Sequence, residues 1–263
     1  MTDMIRFAYA SHIGKKRINN EDNLWCDGFC LPAENTGTGG VRSGDIALSD
    51  FPVFAVMDGM GGESCGEQAS YLSASEFGRF FREEEALKKE YPQALSELCR
   101  RMNQQVVHYA VENHVRTMGS TTVFLVFAGN RAYAGNLGDS RLYHLSEDDF
   151  RQISTDHVYS REIGGKGPLL QYLGMMEPDE ELDPSLVTLT PRSLDTFLLC
   201  SDGVTDMVSD EELLDILLSC PEPEEAVEKI LDSALTAGGR DNITAIVCRY
   251  PQKSLFSRLR FWR

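Results

Sequence analysis

Phe51-Pro-Val-Phe-Ala-Val-Met-Asp-Gly-Met-Gly-Gly62 is the stretch on which the reading of this chain turns. Val53 to Met57 is a continuous apolar run, long enough for a buried strand and too short for a helix. It delivers one carboxylate, Asp58, into a turn where Gly59, Gly61 and Gly62 let the backbone bend tightly or approach a bound group. The design recurs far down the chain in Asp195-Thr-Phe-Leu-Leu-Cys-Ser-Asp-Gly203, again an apolar run ending in Asp-Gly. Either Asp-Gly pair alone is common turn chemistry. Two carboxylates carried to the ends of buried strands read together as halves of one metal site.

Working outward, Ile5–Ala10 and Leu24–Cys26 have the pattern of strands, and residues 31–50 that of a loop. The glycines of that loop are not a phosphate-binding loop, because no Gly-Lys-Ser/Thr follows them. The spacing predicts a helix over Glu63–Glu85, with Ala69, Leu72, Phe77, Phe80 and Phe81 on its apolar face. A second starts at Pro92 and carries Leu95, Leu98, Met102, Val106 and Tyr109. Thr121–Phe127, Arg131–Leu137 and Arg141–Leu145 then read as an antiparallel meander, followed by a strand at Phe150–Ser154. Thr121–Phe127 is apolar on both faces, so it is covered on each side, by helices on one and another sheet on the other. Residues 158–191 are polar and turn-rich, the pattern of a surface segment. Two helices follow: Asp210–Cys220, with Asp210 as its N-cap, and Glu224–Ala237, ending at Gly238-Gly239. Asp241 precedes a last buried strand.

Composition narrows the classes. A formal charge of −16 over 263 residues excludes a nucleic-acid partner, since phosphate backbones select basic faces. No run approaches the roughly 18–20 apolar residues that span a bilayer. Met-Thr-Asp-Met-Ile-Arg has no basic-then-apolar pattern, so no signal peptide is expected. Seven cysteines without a CxxC pair indicate a reducing compartment, and a cytoplasmic location is the expectation. The expected organisation is one domain over residues 1–250 and a basic, apolar tail over residues 251–263. That tail has the character of a packed or frayed terminus, or of a contact for a membrane or an acidic partner.

Acids recur where loops meet strands: Glu21 and Asp22, Asp58, Asp139, Asp202 and Asp241. Carboxylates without clustered histidines or thiolates are the ligand set of hard cations such as magnesium and manganese. The five histidines are scattered and form no HExxH, which disfavours zinc. Two such ions clamp a phosphoryl group and activate a water. Arg17, four residues before Glu21, suits a bidentate grip on phosphate.

The ordered set Arg17-Ile-Asn-Asn-Glu-Asp22, Met57-Asp-Gly-Met-Gly-Gly62, Met118-Gly-Ser-Thr-Thr122, Gly138-Asp-Ser-Arg141, Thr155-Asp-His157, Ser201-Asp-Gly203 and Arg240-Asp-Asn-Ile-Thr244 resembles the metal-dependent protein phosphatases of type 2C, nearest their bacterial branch. The resemblance spans roughly residues 5 to 250, with the motifs in family order. It implies an α+β fold, a four-layer α-β-β-α sandwich of two antiparallel sheets with helices outside. It also implies hydrolysis of phosphoserine and phosphothreonine on proteins, by in-line attack of a hydroxide bridging two Mn2+ or Mg2+ ions. On this pattern Asp58 bridges the metals, Gly59 offers its carbonyl, and Asp202 and Asp241 ligate from the far side. Glu21 and Asp22 hold metal waters, Arg17 binds the substrate phosphate, and Asp139 with Asp202 forms a third metal site. Partners would be phosphoproteins of a cognate serine/threonine kinase, met by a monomer. The alternative is a pseudophosphatase regulator that binds phosphoproteins without turnover; its mark, a missing ligand, is absent. A haloacid-dehalogenase reading needs a second Asp where Met60 stands. Cys65 lacks the C-x5-R pattern of a cysteine phosphatase. Three departures stand out: Met60 replaces the histidine of many eukaryotic relatives, His12 replaces an acid, and the segment between His157 and Gly174 is short.

Overall fold

Along the central strands, alternate side chains enter different cores, and this alternation builds the molecule in layers. The computed structural model describes residues 3–61, 65–83, 90–147, 149–159, 167–176 and 182–252. One sheet runs β3 (Arg42–Ala47), β1 (Met4–His12), β12 (Ile243–Arg249), β11 (Thr196–Cys200), β8 (Arg141–Leu145), β9 (Phe150–Gln152). The other runs β10 (Ser185–Leu189), β7 (Arg131–Leu137), β6 (Thr122–Ala128), β4 (Val53–Met60), β2 (Asp22–Cys26), with β5 (Gly119–Ser120) paired to β4. All named pairings are antiparallel.

Strand β6 confirms the two-sided burial. Val123, Leu125 and Phe127 face the other sheet, while Phe124 and Val126 pack under α1 (Gly66–Arg82) and α2 (Tyr91–Glu112). In β12, Ile246 and Cys248 join the inter-sheet core. Ile243, Ala245 and Val247 meet the outer core beneath α3 (Asp202–Thr205), α4 (Asp210–Ser219) and α5 (Pro223–Thr236). Helices, sheet, sheet and helices therefore stack in the expected four layers. Continuous apolar strands are the sequence mark of such double coverage.

Several expectations are corrected. Residues 31–50 are not all loop, because β3 pairs with β1 and a 3-10 turn spans Leu48–Asp50. Likewise β10 lies inside the presumed surface segment and pairs with β7. Both are partly exposed edge strands, whose polar composition hides a pairing that the backbone alone makes. The meander breaks after β7: Gly138-Asp139-Ser140 crosses between sheets, with Gly138 at φ +97°, and β8 pairs with β11 and β9 instead. The N-cap of α4 is Ser209, whose hydroxyl accepts from Glu212 N–H at 3.2 Å, and Asp210 is the first helical residue. Asp58 does not sit in a turn, since β4 continues through Met60, which pairs with Gly119. Gly62, the ends of the helix expected at Glu63–Glu85, and tail residues 253–263 lie outside the described residues. All seven cysteines are free thiols. Among the described residues no helix is long and apolar enough to cross a membrane.

Candidate active site

The inward face of β4 runs Phe54, Val56 and then Asp58; that of β2 runs Cys26, Leu24 and then Asp22. In the β2–β4 register Asp22 lies directly opposite Asp58. From the other sheet, Ser201 at the end of β11 donates its hydroxyl to Asp22 Oδ2 at 2.7 Å. The same hydroxyl accepts from Thr244 N–H at 3.1 Å. The two sheets are thus tied together at the end where their carboxylates meet.

Backbone bonds hold the surrounding segments. Asp58 N–H donates to Thr121 Oγ1 at 3.0 Å, and Thr121 N–H returns a bond to the Asp58 carbonyl at 2.8 Å. Thr121 Oγ1 also lies 2.6 Å from Ser140 Oγ, which couples β4 to the crossing that carries Asp139. Gly59 N–H donates to the Glu21 carbonyl at 3.1 Å. Glu21 N–H in turn donates to Asn242 Oδ1 at 2.8 Å, while Asn242 Nδ2 donates to the carbonyls of Ile13 and Asn19, each at 2.9 Å. One amide therefore pins both ends of the 13–21 loop beside Asp241.

Close approach explains two glycines. A Cβ on Gly59 would fall 2.0 Å from the Gly66 carbonyl, and one on Gly66 would fall 2.8 Å from Glu21 Cδ. The start of α1 thereby presses directly on the Asp58–Gly59 strand. His12 does locally what a short acid would do, its Nδ1 accepting from Gly14 N–H at 2.9 Å. Lys15 N–H adds a 2.7 Å bond to the Gly239 carbonyl. That loop delivers Arg17, whose guanidinium donates to Asp241 Oδ2 at 2.7 Å.

Arg17, Glu21, Asp58, Gly59, Met60, Thr121, Asp139, Asp202 and Asp241 line one open cavity of about 480 Å³. Asp22 does not line it; its buried carboxylate stands behind Asp58. Burial pushes the Asp58 carboxyl well above its usual range, with further increments from Asp202, Asp22 and Asp139. Burial also lifts Asp22, to about 7, against the opposing hydrogen bonds from Thr244 and Ser201. Glu21 is raised by burial too, and the nearby Arg17 offsets part of it. Arg17 is the one cation among the described lining residues, set against five acids. Among the described residues no three of these side chains already close around an ion. The donors are nevertheless all oxygen and poorly compensated, the environment that a hard divalent cation relieves. Cys65, half-buried at the start of α1, has its thiol raised by burial and by Glu67, which keeps it protonated.

Thr121, Ser140, Ser201 and Asn242 are the supporting residues to which sequence reasoning assigned no role. Their one signal was position: each is a small polar residue inside a motif that also contains, or pairs with, an acid.

The protein phosphatase 2C family model matches residues 45–236. The chain belongs to that family. The serine/threonine protein phosphatase PstP of Mycobacterium tuberculosis is 30% identical over 261 residues, covering 94% of this chain and 45% of PstP. The chain thus spans about half the length of that curated relative. Among solved structures, PppA of Pseudomonas aeruginosa, described as a key regulatory component of T6SS, superimposes with a TM-score of 0.76 at 32% identity, over 95% of this chain and 99% of PppA. The catalytic domain of PstP, solved in complex with two manganese ions, gives a TM-score of 0.74 at 28% identity, over 95% of this chain and 100% of that domain. The four-layer architecture is that of the phosphatase 2C fold.

Proposed function

We propose that this chain hydrolyses phosphoserine and phosphothreonine on proteins, using two Mn2+ or Mg2+ ions. The observation that carries the reading is the ring of Asp58, Asp139, Asp202, Asp241 and Glu21 with one arginine around a single cavity, where the two sheets meet. Asp58, Asp202, Asp241 and the Gly59 carbonyl would hold the catalytic pair; Glu21 and Asp22 would hold its waters. Asp139 with Asp202 would form a third site. The ions supply Lewis acidity and a water activated near neutral pH.

The chain's own residues do the rest. Ser201 fixes the rotamer of Asp22, which lies directly opposite Asp58 in the ladder. Arg17 shares Asp241 with the metal site, so it turns to the substrate phosphate once the carboxylates are occupied. Met60 has no proton to give the leaving alkoxide, so that proton would have to come from a water held at the metal site. The partners are phosphoproteins, supplied by a serine/threonine kinase. Seven free thiols support a reducing, cytoplasmic setting.

The test is hydrolysis of a phosphothreonine peptide with manganese present. Turnover should vanish in excess chelator and in Asp58→Asn. A chain that turns over freely in chelator overturns the proposal, and one that binds the peptide without hydrolysis favours a pseudophosphatase.

A further inference from the structure

Next to the acidic cavity lies a larger one, about 550 Å³, and Met60 and Gly61 line both. Its described lining carries no acid. Met60, Met118, Met176 and Tyr172 form its walls, and Arg116 stands at its edge. Thioethers fit side chains of varied shape, which suits a surface that receives apolar groups.

The groove is held in shape. Ser120 and Leu173 exchange backbone bonds of 2.9 and 2.7 Å, which docks the 172–176 segment on β5. Asn103 of α2 clamps the same segment, accepting from Gly174 N–H at 2.6 Å and donating to the Met175 carbonyl at 3.2 Å. Gly119 is the floor: a Cβ there would lie 2.7 Å from the Tyr172 ring and 2.8 Å from the Met60 methyl. A preformed apolar groove loses little conformational freedom when it fills. Met176 remains 43% exposed, so it is available to an incoming side chain. Arg116 is exposed and makes no ion pair among the described residues, although the chain carries a net charge of −16.

We infer that this groove receives the substrate side chain beside the phosphorylated residue, a large apolar one, from a peptide that also carries an acid for Arg116. The inference rests on the phosphatase reading and names the substrate class that reading leaves open. Continuity through Met60 and Gly61 ties the groove to the phosphate cavity, and Arg116, the one cation among its described lining residues, sets the sign of the neighbouring charge.

The experiment compares phosphothreonine peptides on the full chain with manganese. One has Leu on both sides of the phosphothreonine, a second has Gly there, and a third adds Glu to the Leu peptide. The readout is the ratio of kcat/KM between peptides on the same enzyme. Leu over Gly should be about tenfold or more, the scale of apolar-pocket discrimination. Met176→Ser should bring that ratio toward one, and Arg116→Glu should reverse the gain from Glu. Equal rates for the Leu and Gly peptides, or a ratio unmoved by Met176→Ser, overturn the groove. If p-nitrophenyl phosphate and both peptides are hydrolysed with no preference, the phosphatase reading survives and the groove does not. If none of them is hydrolysed, both fall.

Discussion

Asp22 and Asp58 occupy directly opposite positions in the β2–β4 ladder, with Asp22 fully buried and Asp58 at the cavity wall. Like charges placed opposite each other destabilise a sheet. Burial raises both carboxyls above their usual range, and the neighbouring charges, Asp202 and then Asp22, lift Asp58 further. The fold tolerates the pair because the adjoining cores and the Ser201 bridge hold the strands regardless.

Removing one of the two charges should therefore trade function for stability. Asp58→Asn is expected to melt higher than wild type in chelator, by roughly 2–4 °C for each 1 kcal/mol of repulsion relieved. The same variant should lose its manganese-dependent rise in Tm and at least about a hundredfold in kcat. Thermal melts with and without manganese, beside peptide turnover, check both halves. A variant no more stable than wild type in chelator would show that the repulsion is already screened.

Ser201→Ala deletes the hydroxyl that both donates to Asp22 and accepts from Thr244 N–H. Thr244 N–H then loses this acceptor and Asp22 keeps only its hydrogen bond from Thr244, which should cost about 1–3 kcal/mol. Urea denaturation at neutral pH measures it, and Ser201→Thr should recover part of the loss by keeping the hydroxyl.

Asn242→Asp keeps the size of the side chain but replaces the NH2 group that donates to the carbonyls of Ile13 and Asn19 with a carboxylate oxygen. Facing carboxylate to carbonyl should loosen the loop that presents Arg17 and Glu21. The expected outcome is a rise in KM for phosphopeptide larger than the fall in kcat, with destabilisation of about 1–3 kcal/mol. Steady-state kinetics on one peptide separate the two.

His157 supplies a pH signature. Its Nδ1 accepts from Gly138 N–H at 3.2 Å and its Nε2 lies 2.9 Å from Ser185 Oγ, an arrangement that fits the neutral ring. Burial lowers its pKa below the ordinary 6.5, against the attraction of Asp183 and Asp156. A folded-state pKa below the unfolded one means that the unfolded chain binds more protons, so this contribution is full above about 6.5 and is lost as pH falls through the folded value. His157→Gln should then show a shallower loss of stability between pH 7 and pH 5. Chemical denaturation at stepped pH provides the slope for each protein.

Much of this was legible in the chain. Val53–Met57 and Thr122–Phe127 are apolar on both faces, and only a strand covered on both sides fits that composition. The helices carried their own 3.6-residue stripes, and α5 ended at Gly238-Gly239, both at positive φ. Edge strands β3 and β10 were not legible, because an edge strand buries little and its pairing is a property of the backbone opposite it.

What Phe51–Gly61 determined by itself was a buried strand carrying one carboxylate toward its end. What only the tertiary structure decided was which groups meet that carboxylate. Asp22 reaches it through strand register, Asp202 and Asp241 through the packing of one sheet on the other, and Asp139 through a crossing that the pattern of β7 and β8 did not reveal. Hydrophobic periodicity records which face of a segment avoids water. It holds no record of which segments lie side by side, and the site exists only in that adjacency.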